Sequence, residues 1–282
     1  MRKLKINQKL LKKKAVVVVK QMSFYQPEKL PKIMIAPNGA RPKKKDHTEV
    51  PVTINEIVET AKLCFDEGAT GIHFHLRDEK GDHILNSEMC LKALDDLQLS
   101  VPKMHIQVTT EAVGRYSPNE MRKLAYEVAP PGISIGIREM IPTRNPSEED
   151  IKLYQSLTES GTKIQHICYE PEDLDLLSNL LDKANISKDG TWCLFVIGHY
   201  SGKVSDPNKI PLFLDKLNNN NLNADWAVCA FGKEEIDCLK KAISLNGKIR
   251  VGFENSMLMP NGEIAPNNHT KVKAVKELLN LN

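Results

Sequence analysis

The segment His73-Phe74-His75 closes a short apolar run, and in an extended strand residues two apart face the same side. The two imidazoles therefore point together, with Ile72, Phe74 and Leu76 on the opposite face. Histidines crowded among apolar residues are costly unless partnered. A shared divalent metal is one such partner; satisfied structural histidines and an acid-base pair are the alternatives that spacing alone leaves open. Late in the chain, Arg250, Gly252 and Glu254 form a second face of the same period, with Glu254 outermost. Two neutral histidines and one carboxylate are a ligand set that leaves positions on Zn²⁺ for water or substrate. Glu254 has a competing use in a salt bridge to Arg77 or Arg250. Arg250 itself brings donors suited to a carboxylate or an enolate.

Further polar residues fall at or near the ends of apolar runs: Thr109 and Thr110, Ser134, Glu170 after His166 and Cys168, and His199 after Gly198. Each alone has an ordinary explanation in helix capping, core polarity or surface exposure. Their shared position gains meaning from the elements that carry them. Strand-like runs at residues 33–37, 70–76, 103–109, 132–137, 163–169, 192–197, 226–230 and 249–253 alternate with helix-like segments. The helices are expected to begin near residues 53, 86, 117, 147, 173, 210, 233 and 270, several behind capping signals such as Ser117-Pro118-Asn119-Glu120. Eight short buried strands, each followed by a helix, predict the α/β class and a (β/α)8 TIM barrel. The main rival, a doubly wound dinucleotide-binding sheet, needs a GxGxxG turn that the sequence lacks. In a barrel, chemistry sits at the C-terminal ends of the strands. Strand eight there stands two strands from strand two, so Glu254 reaches across the mouth to His73 and His75.

The chain of 282 residues carries a formal charge of +3 that is unevenly spread. Residues 1 to 31 hold nine basic side chains against Glu28 alone, so the remainder is mildly acidic. The organisation expected is a basic N-terminal extension over 1–31 and a catalytic barrel over 32–282. A basic tail can touch an anionic surface, but it shows no recognition pattern of basic and aromatic residues, and the composition of the acidic body gives no support for a nucleic-acid protein. No stretch approaches the roughly 20 apolar residues needed to cross a bilayer, and the run at residues 16–19 is too short for a secretory signal. Six cysteines, at 64, 90, 168, 193, 229 and 238, show no CxxC spacing. They read as reduced core thiols in a cytoplasmic protein.

From about residue 32 to the C-terminus the sequence resembles the β-keto acid cleavage enzymes, whose first described activity is cleavage of 3-keto-5-aminohexanoate. The resemblance rests on Pro37-Asn38-Gly39-Ala40, the HFHLRDEKGDH segment from His73 to His83, Thr109-Thr110, the RVGFEN segment from Arg250 to Asn255, and the GEIAPNN segment from Gly262 to Asn268. It implies a TIM barrel holding one Zn²⁺ per subunit on His73, His75 and Glu254, assembled as a homotetramer. It further implies that Arg250 handles the thioester, that Thr109 and Ser134 contact substrate, and that Glu170 is a buried glutamate after strand five. Asn38 and Thr110 join the substrate-binding set, and His199 and Asn255 the catalytic one. The implied reaction takes a 3-keto acid and acetyl-CoA to acetoacetate and a new acyl-CoA. Two departures bear on chemistry. Asn255 stands where the family usually has an aspartate that helps activate the attack, and an amide cannot take a proton as a carboxylate does. Asn38 stands where a glutamate can bind a substrate amine. Proton handling would then fall to Glu170 or His199. The alternatives are a metal-dependent hydrolase or retro-aldol lyase drawing on His166 and His199, and a catalytically reduced barrel that binds a keto acid.

Overall fold

The computed structural model describes residues 24–199 and 202–281. Eight parallel strands close into a barrel in chain order: β1 Ile33–Ile35, β2 Gly71–Phe74, β3 His105–Thr109, β4 Gly132–Gly136, β5 Lys163–Cys168, β6 Thr191–Ile197, β7 Ala224–Ala230 and β8 Lys248–Val251. The seam pairs Met34 with Arg250 and Ile35 with Val251. Alternation then sorts each strand into two faces. Ile35, Ile72, Phe74, Val108, Ile133 and Phe195 pack outward into the layer shared with the helices. Inside the barrel, Ile167, Trp192, Leu194, Val196, Ala227 and Cys229 form a separate apolar cluster with Leu30, which lies ahead of β1.

The outer layer consists of α1 Ile54–Asp66, α2 Ser87–Ser100, α3 Pro118–Val128, α4 Ile137–Met140, α5 Glu148–Glu159, α6 Asp173–Ala184, α7 Ile210–Asn219, α8 Glu235–Ser244 and α9 Asn268–Leu278. Reciprocal capping boxes start α1 at Thr53/Glu56, α3 at Ser117/Glu120 and α5 at Ser147/Asp150, so three of the expected helix starts are fixed by local hydrogen bonding. No helix among the described residues is long and apolar enough to cross a membrane. Most of the basic segment expected over 1–31 lies outside the described residues. Its last part rests on the barrel floor, where Leu30 N–H donates to Asp225 Oδ2 at 2.7 Å.

Several strands are shorter than their apolar runs, because the chain leaves the ladder to build the mouth. Glu254 is carried on a turn beyond β8. Gly252 makes this turn at φ +144°, and a Cβ there would run into the carbonyl oxygen of Ala36. The Ala36 carbonyl instead accepts from Glu254 N at 3.1 Å, tying the turn to the end of β1.

Candidate metal centre and substrate cavity

His73 and His75 project inward from the end of β2, and their Nε2 atoms lie 3.0 Å apart. Glu254 Oε2 stands 3.4 Å from His73 Nε2 and 3.5 Å from His75 Nε2. Zinc bonds of about 2.0–2.2 Å at tetrahedral angles require ligand atoms about 3.3–3.6 Å apart, so small adjustments admit an ion. These three buried side chains are the single such group of three found among the described residues.

The surroundings leave the correct nitrogens bare. His73 Nδ1 lies 2.9 Å from Gln107 Oε1, and the Gln107 amide nitrogen donates to Gln165 Oε1 at 3.0 Å. The acceptor on Gln107 thus puts the His73 proton on Nδ1. For His75 the partner is another histidine: Nδ1 lies 3.4 Å from His83 Nδ1, while His83 Nε2 faces the Glu111 carbonyl at 3.1 Å. His83 donates to that carbonyl through Nε2, accepts from His75 through Nδ1, and leaves His75 Nε2 free to ligate. Burial holds His73 and His75 well below the usual imidazole range and lowers His83 to about 4. Neutral imidazoles are the form that binds a metal.

Glu254 is fixed through its other oxygen, which accepts from Arg250 Nη2 at 2.8 Å. The salt bridge to Arg250 therefore leaves Glu254 Oε2 turned toward the two histidines. The Arg77 guanidinium donates to backbone carbonyls from residue 38 to 42, among them Asn38 at 3.2 Å and Pro42 at 3.1 Å. That web holds the β1–α1 loop in place beside the histidines. Gly39, at φ +58°, allows the loop to pass Glu254, since a Cβ there would sit 2.5 Å from Glu254 Cγ.

A cavity of about 330 Å³ opens onto this centre, lined by His73, Thr109, Ser134, Arg250 and Glu254, and farther out by Glu170 and His199. Thr109 Oγ1 accepts from Glu111 N at 3.0 Å, leaving its own proton to donate. Ser134 Oγ lies 3.5 Å from His73 Nδ1. The other expected site residues are placed behind the wall. Asn38 is fully buried; its amide donates to the carbonyls of Pro51 and His75 and accepts from His75 N at 3.1 Å, so it clamps the backbone of His75. Thr110 spends its hydroxyl on the Ser134 carbonyl at 3.0 Å. Asn255 is buried, and neither its Oδ1 nor its Nδ2 has a partner among the described residues.

Glu170 is not the buried glutamate that the resemblance implies. Its side chain is 37% exposed and pairs with Lys203, because the loop after β6 folds back over the end of β5. Partial burial pushes its pKa up, but the Lys203 hydrogen bond and charge prevail and hold it below the ordinary carboxylate value. His199 lies exposed in that loop. His166, invoked for a hydrolase, faces outward from β5: it stacks on Tyr154 of α5 with ring centroids 5.6 Å apart. It contributes nothing to the metal centre.

Glu111 escapes the sequence reading although it directly follows Thr109-Thr110. Its Oε2 lies 3.7 Å from His75 Nε2, and its Oε1 pairs with Arg41 at 2.9 Å. Burial, then the neighbouring charges of Glu254 and Glu139, raise its pKa to about 7. Glu139 also lines the cavity, accepting from Ala112 N at 3.2 Å and from the Tyr169 hydroxyl at 3.3 Å. Sequence position at a strand end was the available signal for Glu111. Gln107 could have been found from its inward parity with Thr109.

The profile of the beta-keto acid cleavage enzyme family matches residues 32–281. A 3-oxoadipate:acetyl-CoA acetyltransferase of Cupriavidus necator is 24% identical over 252 residues, covering 87% of each chain. A 3-keto-5-aminohexanoate cleavage enzyme of Acetoanaerobium sticklandii is 24% identical over 244 residues, covering 85% of this chain and 88% of that one. Among solved structures, the binary complex of ObcA with oxaloacetate superposes with a TM-score of 0.64 at 13% identity, over 82% of this chain. The chain spans 63% of the ObcA chain, and the likeness is one of fold.

Proposed function

The chain belongs to the beta-keto acid cleavage enzyme family, and from that membership we propose that it exchanges a 3-keto acid with acetyl-CoA in a zinc-dependent reaction, releasing acetoacetate and a new acyl-CoA. The observation that carries the reading is the convergence of His73 Nε2, His75 Nε2 and Glu254 Oε2 at the base of a cavity lined with hydroxyl and guanidinium donors. These three residues would hold the ion. Zinc supplies Lewis-acid polarisation of the ketone and carboxylate oxygens of the keto acid.

The chain's own groups account for the remaining needs of the reaction. Thr109 and Ser134 donate to the substrate carboxylate and orient C2. Glu111 takes the C2 proton, the role that the amide of Asn255 cannot fill. Its pKa of about 7 in the metal-free protein leaves it able to exchange a proton near neutral pH, and a cation held by His73, His75 and Glu254 would favour its ionised form. The C2 carbanion then attacks the acetyl carbonyl and CoA thiolate leaves. The thiolate adds to the original ketone, and its C2–C3 bond breaks to give the new acyl-CoA. Arg250 steadies the oxyanion at each addition while keeping Glu254 aimed at the histidines. Glu111 returns the proton to C2 of acetoacetate. Family resemblance supports a homotetramer, and free buried cysteines support a reducing, cytoplasmic setting.

The test is a panel of 3-keto acids incubated with zinc-loaded protein, with and without acetyl-CoA, read as acetoacetate formed. Exchange is expected only with acetyl-CoA present. Keto-acid breakdown that ignores CoA would instead mark a hydrolase or a retro-aldol lyase. Deuterium exchange at C2 with no acyl transfer would show an active proton step without CoA chemistry.

A further inference from the structure

Four cationic side chains line the cavity above the metal centre: Arg41, Arg138, Lys203 and Arg250. Three of them pair with carboxylates that line the same cavity: Arg41 with Glu111 at 2.9 Å, Arg250 with Glu254 at 2.8 Å, and Lys203 with Glu170. Arg138, on α4, is held from behind instead. Its Nε and Nη2 meet both oxygens of Asp173 at 2.8 to 3.1 Å, and Asp173 is fully buried and forms no part of the cavity wall. The guanidinium lies over the Tyr169 ring, 5.5 Å from its centroid.

This mounting leaves both charge and donors for a ligand. Asp173 also takes Arg144 at 3.3 Å, so one carboxylate stands against two guanidinium groups and a positive charge is left over. Its Oδ2 further accepts from Tyr169 N at 2.8 Å and Glu170 N at 3.1 Å, which fixes the carboxylate that fixes the arginine. Arg138 Nη1 donates to no group among the described residues, and 36% of the side chain is exposed. A planar guanidinium bound through Nε and Nη2 presents Nη1 and the second Nη2 proton as a fork that matches another carboxylate. The neighbouring acid, Glu139, is committed elsewhere: its oxygens accept from Ala112 N and the Tyr169 hydroxyl. Arg138 stands four residues beyond Ser134, two along β4 and two into α4, roughly 10 Å of chain. Ser134 serves the carboxylate beside the reacting carbons, so an anion at Arg138 belongs to the other end of the ligand.

Resting on the keto-acid reading of this cavity, we propose that Arg138 is a specificity-determining residue that binds a second, distal carboxylate, so that the substrate is a 3-keto diacid. Calorimetric titration of the full-length, zinc-loaded protein with 3-oxoadipate, 3-oxohexanoate and 3-keto-5-aminohexanoate, in the absence of CoA, tests it. 3-Oxoadipate is expected to bind roughly tenfold or more tightly than 3-oxohexanoate, which differs from it only in the distal group. Arg138→Met should bring that ratio close to one through loss of 3-oxoadipate affinity. Arg138→Lys keeps the charge without the fork and should retain part of the preference. Should Arg138→Met not fold, the fall of the ratio in Arg138→Lys reads the same contact. Equal affinities on the native chain, no saturable binding of either acid, or tightest binding of the aminated acid overturns the proposal, the last assigning the far end to Glu139. A ratio that neither substitution moves overturns it too, and a raised KM for acetyl-CoA alongside would place the guanidinium on the CoA phosphates. If the ratios behave as expected and no acetoacetate forms with acetyl-CoA, the exchange reaction fails while the Arg138 site stands.

Discussion

Each imidazole at the centre is held by a partner that decides which nitrogen is bare, and the two partners differ in kind. Gln107 is an amide fixed by a second amide, whereas His83 is itself a tautomer set by a carbonyl. Gln107→Leu and His83→Phe should therefore each weaken zinc binding by about 10–100-fold, measured by competition with a chromophoric chelator. Unchanged affinity in both would mean that the tautomers are set elsewhere. In the proposed reaction Glu111 serves as the proton acceptor and stands outside the ligand set. Glu111→Gln should lower kcat by about 10²–10⁴-fold while leaving one zinc per chain. Zinc lost along with activity would make Glu111 a ligand and remove it as the proton acceptor.

The turn after β8 depends on helices that never reach the cavity. Lys271 of α9 donates to Glu235 of α8 at 2.6 Å and to the Ser256 carbonyl at 2.5 Å, with both side chains buried. Asn268 accepts from Phe253 N at 3.0 Å and donates to the Pro37 carbonyl at 3.0 Å. Lys271→Met strands Glu235, and breaking such a buried pair costs about 3–5 kcal/mol. Burial already raises the Glu235 pKa to about 7, against the pull of Lys271, and loss of the lysine raises it further. The variant can discharge the stranded carboxylate by protonation, so urea unfolding should show a larger deficit at pH 8 than at pH 6. An equal deficit at both would contradict the assignment.

The alternating elements were legible because their signals are local: period-two runs, capping boxes at Thr53, Ser117 and Ser147, and turn residues between them. The four residues of α4 were not, since they span barely one turn and follow Gly136, which offers no side-chain cap. His73 and His75 could be paired from strand parity and Glu254 brought to them by barrel order, although Glu254 stands on a turn beyond β8 rather than on the strand face expected for it. Glu170 could not be placed from sequence because its environment is made by Lys203, on a different loop. Asn38 and Thr110 were legible as polar residues at strand ends, but their hydrogen bonds turn into the backbone.

Across the whole molecule, five histidines are buried in neutral form: His73 and His75 well below the usual range, and His83, His105 and His166 at about 4. In the metal-free protein, the unfolded chain takes up protons below about pH 6.5 that the folded chain refuses. Stability present above that pH is lost as pH falls, by about 1.4 kcal/mol per pH unit for each histidine well below its unfolded pKa. Glu111 and Glu235, raised to about 7, act in the opposite sense over about pH 7 to 4.5, but the histidines outnumber them. The urea midpoint of the metal-free protein should therefore drop between pH 6.5 and 5, and a rise would refute this balance. The seam between β1 and β8 gives the centre a schedule as well as a shape. As the ribosome extends the chain, both histidines emerge long before the carboxylate that completes their triad, and Ala36 waits for the last strand before it can hold that carboxylate's turn. An unfinished chain can offer an ion only two imidazoles, so, on the proposed ligand set, tight zinc binding is expected only once translation has passed the eighth strand.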